Sequence, residues 1–208
     1  MRETDLTELI SNGLTELNLE STFTSQLLQF IHMLTRWNKA YNITAIRDPE
    51  QMVILHLIDS ASVYRYLKGN SIIDVGTGGG MPGIIFALLN PQLKVTLLDS
   101  NQKKTRFLRF VKRQLKLENV EVVCQRVEKY QPLKRFDVVI SRAFSELGLY
   151  LQLAGHLCHE NGQVLAMKGP RIESEKQANE YGFELVKDID IKVPYLEAKR
   201  RLLIFKKI

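Results

Sequence analysis

Apolar residues in the first third of the chain recur at intervals of three and four positions. Two such sets are Leu6, Leu9 and Ile10, then Leu27, Ile31 and Leu34. This spacing places each set on one face of a helix. A third set follows Pro49, and Gly69-Asn70 is a helix-ending pair. The pattern predicts a helical extension over residues 1–68 that packs on the core formed by the rest of the chain.

From Ser71 onward the pattern changes to short runs rich in Val, Ile and Leu, separated by amphipathic segments. The predicted strands are 72–75, 95–98, 120–124, 138–140 and 164–167, and the predicted helices are 82–89, 102–117, 146–159 and 173–181. Strands that alternate with helices of this length predict a parallel sheet covered by helices.

The end of the chain departs from this alternation. Segments 183–193 and 201–208 are both strand-like, and the connection between them is too short for a crossover helix, so they should pair antiparallel. The predicted fold class is therefore α/β, with a Rossmann-like, seven-stranded, mostly parallel sheet that resembles that of class I methyltransferases. Dinucleotide-binding domains usually lack such a hairpin.

A glycine-rich turn, Gly76-Thr-Gly-Gly-Gly-Met-Pro-Gly83, follows the first predicted strand. Glycine at 76, 78 and 80 lets the backbone bend tightly and approach a ligand closely. Pro82 suits the first turn of a helix, whose N–H groups would face that ligand. The turn predicts a cofactor site that includes Gly76, Gly78, Gly80 and Met81.

Asp99 ends the second predicted strand about 20 residues downstream, where a carboxylate can accept both ribose hydroxyls of a nucleotide cofactor. This geometry suits NAD and S-adenosylmethionine equally. An NAD turn must leave its helix N-terminus open to pyrophosphate, whereas Met81-Pro82 adds bulk and removes an N–H. The sequence therefore favours S-adenosylmethionine. Asp74 either contacts the cofactor's ammonium group or only caps the loop.

Four motifs together resemble the small-subunit ribosomal RNA guanine-N7 methyltransferase family, formerly called glucose-inhibited division protein B. They are Arg36-Trp-Asn-Lys-Ala-Tyr-Asn-Ile-Thr44, His56 with Asp59-Ser60, the glycine-rich turn, and Ser141-Arg-Ala143. The resemblance covers nearly the whole chain. It implies methyl transfer from S-adenosylmethionine to N7 of a guanine in the 530 loop of 16S rRNA, at position 527 in the usual rRNA numbering. The expected substrate is the small subunit or an assembly precursor.

The resemblance also implies cofactor contacts, which fall by position on Gly76, Met81, Val127, Glu128 and Arg142. The residues themselves allow these roles, because Val127 and Glu128 follow the third predicted strand at the side where an adenine ring would lie. Arg142 follows the fourth strand, at the sheet edge where ligands bind, and suits a phosphate or a cofactor carboxylate. The alternatives are a solvated loop carboxylate for Glu128 and a surface salt bridge for Arg142.

Methylation at guanine N7 requires no general base, because N7 carries a lone pair and no proton at neutral pH. We therefore assign no catalytic acid or base and expect catalysis to depend on alignment. His56 lies beside the buried stripe of its helix, so we expect a structural histidine and leave it outside the site.

The chain carries 29 Lys and Arg against 23 Asp and Glu, a net charge of +6 that fits a polyanionic partner. The predicted substrate-binding cations are Arg142, Lys168, Lys199 and Arg200. A second cationic stripe, on one predicted helix, is read either as an RNA contact or as a solvated outer face: Arg109, Lys112, Arg113 and Lys116. Trp37 and Tyr41 are expected to pack against the core rather than stack on a base.

Three other functions remain open: a small-molecule methyltransferase, an NAD-dependent reductase, and a non-catalytic RNA-binding protein.

The apolar runs are shorter than a membrane span, and the N-terminus lacks the apolar segment of a secretory signal. We therefore expect a cytoplasmic protein, and a monomer, that makes no membrane contact. Cys124 and Cys158 show no metal-ligand spacing, so we expect two buried thiols and no metal.

Overall fold

A computed structural model of the chain describes residues 3–142, 144, 146–169 and 178–208. Its centre is one sheet of seven strands. The strands are β1 (Ser71–Val75), β2 (Lys94–Asp99), β3 (Val120–Cys124), β4 (Phe136–Ser141), β5 (Cys158–Lys168), β6 (Phe183–Ile191) and β7 (Arg200–Lys207).

The strands lie in the order β3-β2-β1-β4-β5-β7-β6. β1 pairs parallel with β2 and β4, β2 with β3, and β4 with β5, whereas β7 runs antiparallel to both β5 and β6. The predicted parallel sheet and its antiparallel terminal hairpin are confirmed. The chain order reverses between β1 and β4, and ligands of open α/β sheets bind at such a switch point.

Apolar layers cover both faces of the sheet. Successive side chains of a strand point to opposite faces of the sheet. On one face, Ile72 joins an apolar cluster formed with the N-terminal helices and also with α5 (Gly83–Leu89) and α6 (Gln102–Gln114). Ile73 joins the second cluster, beneath α7 (Leu147–Ala154). This two-sided burial explains why the strand sequences are almost continuously apolar.

The N-terminal segment is helical, as predicted, with α1 (Glu3–Glu16), α2 (Thr24–Tyr41), α3 (Pro49–Met52) and α4 (Asp59–Ala61). Asp48 caps α3, because its Oδ2 accepts from the N–H of Gln51 at 2.9 Å. A π-helical stretch, Val53–Ile58, joins α3 to α4. The helix predicted to follow Pro49 is therefore formed by α3, this wide π-helical turn and α4. It ends at Ala61 rather than at Gly69.

Trp37 connects α2 to α6. Its ring centroid lies 5.5 Å from that of Phe107, 5.3 Å from that of Phe110 and 5.0 Å from that of Tyr41. The prediction that the aromatic pair packs against the core is confirmed for Trp37, while Tyr41 remains 43% exposed. The domain boundary between residues 68 and 69 stays a prediction.

Several predicted bounds differ from the structure. α6 ends at Gln114, and Lys116 has a left-handed backbone with φ 53°, so it does not extend the cationic stripe of that helix. Cys158 is buried, but Cys124 is only half-buried. Most of the predicted helix 173–181 lies outside the described residues. The part that is described includes a 3-10 turn at Asn179–Tyr181. Among the helices of the described ranges, none has the length and apolarity to cross a membrane.

Candidate active site

The glycine-rich turn leaves β1 at the switch point of the sheet. The N–H groups of Gly76 and Thr77 both donate to the carbonyl of Leu98, at 2.8 and 3.1 Å, and this anchors the turn to β2. Gly76 and Gly78 have φ of 68° and 61°. Glycine adopts this left-handed region without steric cost, so the need for glycine at these positions is conformational.

Asp74 holds the turn from inside the protein. Its Oδ2 accepts from the Thr77 hydroxyl at 2.6 Å and from the N–H of Gly83, the first residue of α5, at 2.8 Å. Its Oδ1 is buried and has no hydrogen-bond partner among the described residues. Burial raises the pKa of this carboxyl from 3.8 to about 6. Asp74 therefore caps the loop and offers no exposed oxygen to a ligand.

Asp99 lies on the open side of the same turn. Its Oδ2 accepts from the N–H of Gly78 at 2.9 Å, and its Oδ1 accepts from the N–H of Asn101 at 2.8 Å. A carboxylate oxygen can accept more than one hydrogen bond, so both oxygens keep acceptor capacity. The two main-chain contacts fix the orientation of the carboxylate before any ligand binds.

A cavity of about 210 Å³ lies at the carboxyl ends of β1, β2 and β3. It brings together four of the predicted cofactor residues: Gly76, Asp99, Val127 and Glu128. Val75, Leu98 and Val127 supply apolar walls beside the Asp99 carboxylate. Apolar walls suit an adenine ring, and an oriented carboxylate suits ribose hydroxyls. We call this space the nucleoside cavity.

Gly80 and Met81 are not part of the lining of the nucleoside cavity. A β-carbon on Gly80 would lie 2.6 Å from Ile84 and 2.9 Å from Leu108, so this glycine allows close packing under the turn. The Met81 side chain is buried in the apolar core. Its bulk therefore does not discriminate between the two cofactor classes, and a cofactor contact at Met81 stays a prediction. The N–H of Gly83, at the start of α5, donates to Asp74 and is closed to a pyrophosphate.

A second cavity, of about 360 Å³, opens at the ends of β4 and β5. Its lining includes Arg142, Lys168 and Arg200, three of the predicted substrate-binding cations. His56 and Asp59, from the N-terminal segment, line it as well. We call this space the cationic cavity.

Arg142 is held by the N-terminal segment. Its Nη1 donates to the Leu55 carbonyl at 2.9 Å and to Asp59 Oδ2 at 3.3 Å, and its Nη2 donates to His56 Nδ1 at 3.0 Å. The contact with Asp59 is the salt bridge considered for this residue, but it is largely buried rather than on the surface. Arg142 follows β4, the strand beside β1, and it lines the cationic cavity but not the nucleoside cavity.

His56 is a neutral hydrogen-bond relay. A guanidinium only donates, so Nδ1 must accept from Arg142, and Nε2 carries the proton that it donates to Thr44 Oγ1 at 2.8 Å. Burial and the Arg142 charge lower the pKa of His56 from 6.5 to about 3. The interpretation of His56 as a structural histidine holds, yet the residue also lines the cavity and orients Arg142. His56 and Asp59 are three residues apart, so on a helix they lie on the same face. This spacing is the sequence signal that could have indicated that both line the cavity.

The other predicted cations have different positions. Lys168 Nζ donates to the Phe144 carbonyl at 2.8 Å. Lys199 is exposed and outside the cavity lining, although its carbonyl accepts from Arg200 Nη1 at 3.3 Å. Arg109 and Arg113 are exposed on α6 and line neither cavity.

The sheet topology has counterparts among solved structures. A methyltransferase from Aquifex aeolicus, described as S-adenosylmethionine-dependent, aligns with a TM-score of 0.60 at 18% identity, over 79% of this chain and 96% of that one. A second such enzyme, from Thiobacillus denitrificans and in complex with S-adenosyl-L-homocysteine, aligns at 0.54 and 12% identity, over 86% and 98% of the two chains. The fold is that of an S-adenosylmethionine-dependent methyltransferase.

Sequence relatives narrow this class. The family model of rRNA small subunit methyltransferase G matches residues 23–204. The ribosomal RNA small subunit methyltransferase G of Psychromonas ingrahamii is 46% identical over 194 residues, which cover 93% of this chain and 94% of the relative. That of Methylobacillus flagellatus is 45% identical over 89% and 90% of the two chains. The chain belongs to the rRNA small subunit methyltransferase G family.

Proposed function

We propose that this chain transfers a methyl group from S-adenosylmethionine to N7 of a guanine in the 530 loop of 16S rRNA. The observation that carries the proposal is the pair of cavities at one edge of the sheet, one lined by Asp99 and the other by Arg142. One cavity fits a nucleoside, and the other is rich in cations. The relatives are named as methyltransferases of small-subunit ribosomal RNA, which supports the choice of substrate.

The cofactor would lie across the switch point, where it supplies an electrophilic methyl group. Asp99, Val127 and Glu128 line the nucleoside cavity. There Asp99 would accept the ribose hydroxyls, and Val127 and Glu128 would contact the adenine. Gly76 and Gly78 let the backbone pass close to the ligand, and Met81 contributes at most main-chain atoms. Arg142 suits the cofactor's carboxylate, because a guanidinium binds a carboxylate with two parallel donors.

The side chains at the cationic cavity are consistent with a reaction that moves no proton. His56 is neutral at physiological pH, and both of its ring nitrogens are engaged. N7 of guanine is already a free base, so alignment of N7 with the methyl group is what the protein must supply. Such positioning contributes up to roughly 7 to 11 kcal/mol in favourable cases.

On the substrate side, Lys168, Lys199 and Arg200 would bind RNA phosphates at the rim and wall of the cationic cavity. We further propose that the protein acts as a monomer in the cytoplasm, on the small subunit or an assembly precursor. The helical extension, residues 1–68, would serve the methyltransferase domain, residues 69–208, by forming one wall of the substrate site.

Labelled S-adenosylmethionine incubated with small subunits that lack their own N7 methylation tests the proposal. The expected result is label in 16S rRNA. Label in a metabolite pool but none in RNA would favour a small-molecule methyltransferase. No label in any substrate would favour a non-catalytic RNA-binding protein. Calorimetry with NAD and with S-adenosylhomocysteine tests the NAD-dependent reductase, because binding of NAD without binding of S-adenosylhomocysteine would contradict the proposed cofactor.

A further inference from the structure

Asp59 connects two arginines that come from distant parts of the chain. Its Oδ2 accepts from Arg142 Nη1 at 3.3 Å, and its Oδ1 accepts from Arg200 Nε at 3.1 Å. The Asp59 side chain is only 6% exposed, whereas the two arginine side chains are 22% and 25% exposed. The carboxylate is thus the buried anchor, and the guanidinium groups extend from it toward the cavity.

The cationic cavity has an excess of positive charge. Its described lining carries four cations and one carboxylate: Arg142, Lys168, Arg200, Arg201 and Asp59. Arg201 pairs with Asp188 outside the lining, and Lys168 donates to a carbonyl. Arg200 Nη2 has no hydrogen-bond partner in the described part of the chain. Arg200 Nη2 can therefore donate a hydrogen bond to an anion that enters the cavity.

The remaining walls are apolar, and they are formed by Leu55, Val63, Met167 and Ile191. A volume of about 360 Å³ falls within the range of pockets that enclose small organic ligands, about 300 to 1,000 Å³. A ligand with both a flat apolar part and a negative charge matches this lining. A single nucleotide, with its base and phosphate, has that chemistry.

We propose that the cationic cavity binds one nucleotide of the RNA, turned out of its strand, and that Asp59 is the positioning residue that presents Arg200 to its phosphate and holds Arg142 beside it. Enzymes that modify a base commonly extrude it from its stack, since the target atom is otherwise out of reach. The inference rests on the proposed function and specifies its substrate site.

The variant Asp59→Asn distinguishes two accounts of the cavity: one in which Asp59 orients the arginines, and one in which only the net positive charge matters. If the cavity acts only through its net positive field, removal of a negative charge strengthens RNA binding and lowers KM. If Asp59 orients the arginines, the loss of its two charge-assisted hydrogen bonds raises KM. The two accounts therefore predict opposite changes for the same substitution.

The experiment measures KM and kcat for small subunits, S-adenosylhomocysteine affinity by calorimetry, and the melting temperature. Arg200→Ala should raise the RNA KM about tenfold or more, with S-adenosylhomocysteine affinity unchanged. Asp59→Asn should also raise the KM for RNA. In a protein that already carries Arg200→Ala, the same substitution should raise that KM little further. Lys187→Ala, which removes an exposed cation from the same hairpin outside the cavity, is the matched control and should leave KM within about twofold.

A lowered KM for Asp59→Asn, or an RNA KM within about twofold of wild type for Arg200→Ala, would overturn the inference. Guanosine 5′-monophosphate provides a direct probe that needs no methyl transfer. Ligand-observed NMR should detect its binding to the wild-type protein saturated with S-adenosylhomocysteine, weaker binding of guanosine, and loss of the phosphate-dependent part in Arg200→Ala. Equal binding of the two probes to wild type would refute the phosphate contact even if no RNA is methylated.

Discussion

Gly78 and Gly80 lie in the same turn, at φ of 61° and 98°, but in different surroundings. A β-carbon on Gly78 would meet nothing closer than 3.9 Å, whereas one on Gly80 would meet Ile84 at 2.6 Å. Gly78→Ala should cost about 1 to 2 kcal/mol of unfolding free energy, from backbone strain alone. Gly80→Ala should cost about 2 to 4 kcal/mol, because overpacking adds to the strain.

Urea unfolding of the two variants measures this difference. Gly78→Ala is the control, since it shares the left-handed backbone but not the crowding. Equal losses in the two variants would show that Gly80 does not pack against α5 as described.

His56 gives the protein a pH-dependent stability. Its folded pKa of about 3 lies below the ordinary 6.5, so between these values the unfolded chain binds a proton that the folded protein does not. The unfolding free energy should therefore fall as pH drops below 6.5, by at most about 1.4 kcal/mol per pH unit. Asp74 acts in the opposite sense, because its folded pKa of about 6 lies above 3.8 and acid relieves its buried charge.

Comparison with His56→Gln isolates the histidine, because Asp74 is present in both proteins. Urea unfolding at pH 7.5 and pH 5 should show that the wild type loses more stability on acidification than the variant does. The same loss in both would mean that His56 takes up its proton in the folded state without cost.

At the scale of elements, Trp37 is the main aromatic contact between α2 and α6. Trp37→Ala should lower the unfolding free energy by about 3 kcal/mol, since it removes a large side chain packed on Phe107 and Phe110. Tyr41→Ala, four residues on and more exposed, should cost less than about 1 kcal/mol. Chemical denaturation gives both values. An unchanged stability for Trp37→Ala with a large increase in RNA KM would instead support base stacking.

The sheet could be predicted from sequence because it is buried on both faces, so that each strand is a short apolar run between polar turns. The hairpin followed from the short connection before β7. The π-helical stretch at Val53–Ile58 could not be predicted, because a single wide turn barely alters the apolar spacing of a helix. The early end of α6 was missed because Leu115 and Leu117 continue an apolar pattern beyond the helix.

The nucleoside cavity was largely predictable for a topological reason. The carboxyl ends of adjacent parallel strands meet at one edge, which places Gly76, Asp99 and Val127 together. The cationic cavity was only half predicted. Asp59 lies 83 residues from Arg142 and 141 from Arg200 along the chain, and no local spacing connects them. The direction of the Met81 side chain was likewise set by packing, which the sequence does not encode locally.

At the scale of the whole molecule, both cavities open at the same edge of one sheet, and the N-terminal segment closes the second. His56 and Asp59 come from that segment, Arg142 and Lys168 from the sheet, and Arg200 from the terminal hairpin. If the cationic cavity binds the RNA as proposed, substrate recognition requires the packing of the helical layer on the sheet. The net charge of +6 adds a general attraction for RNA.

The most direct test of the central claim is to map the methyl group on the RNA. Small subunits that lack N7 methylation would be treated with the wild-type protein or with Asp99→Ala, and fragments of 16S rRNA would be analysed by mass spectrometry. We expect one N7-methylguanosine, in the 530 loop, with the wild type and none with Asp99→Ala. A methyl group at another atom or another loop, or the same product from Asp99→Ala, would contradict the account.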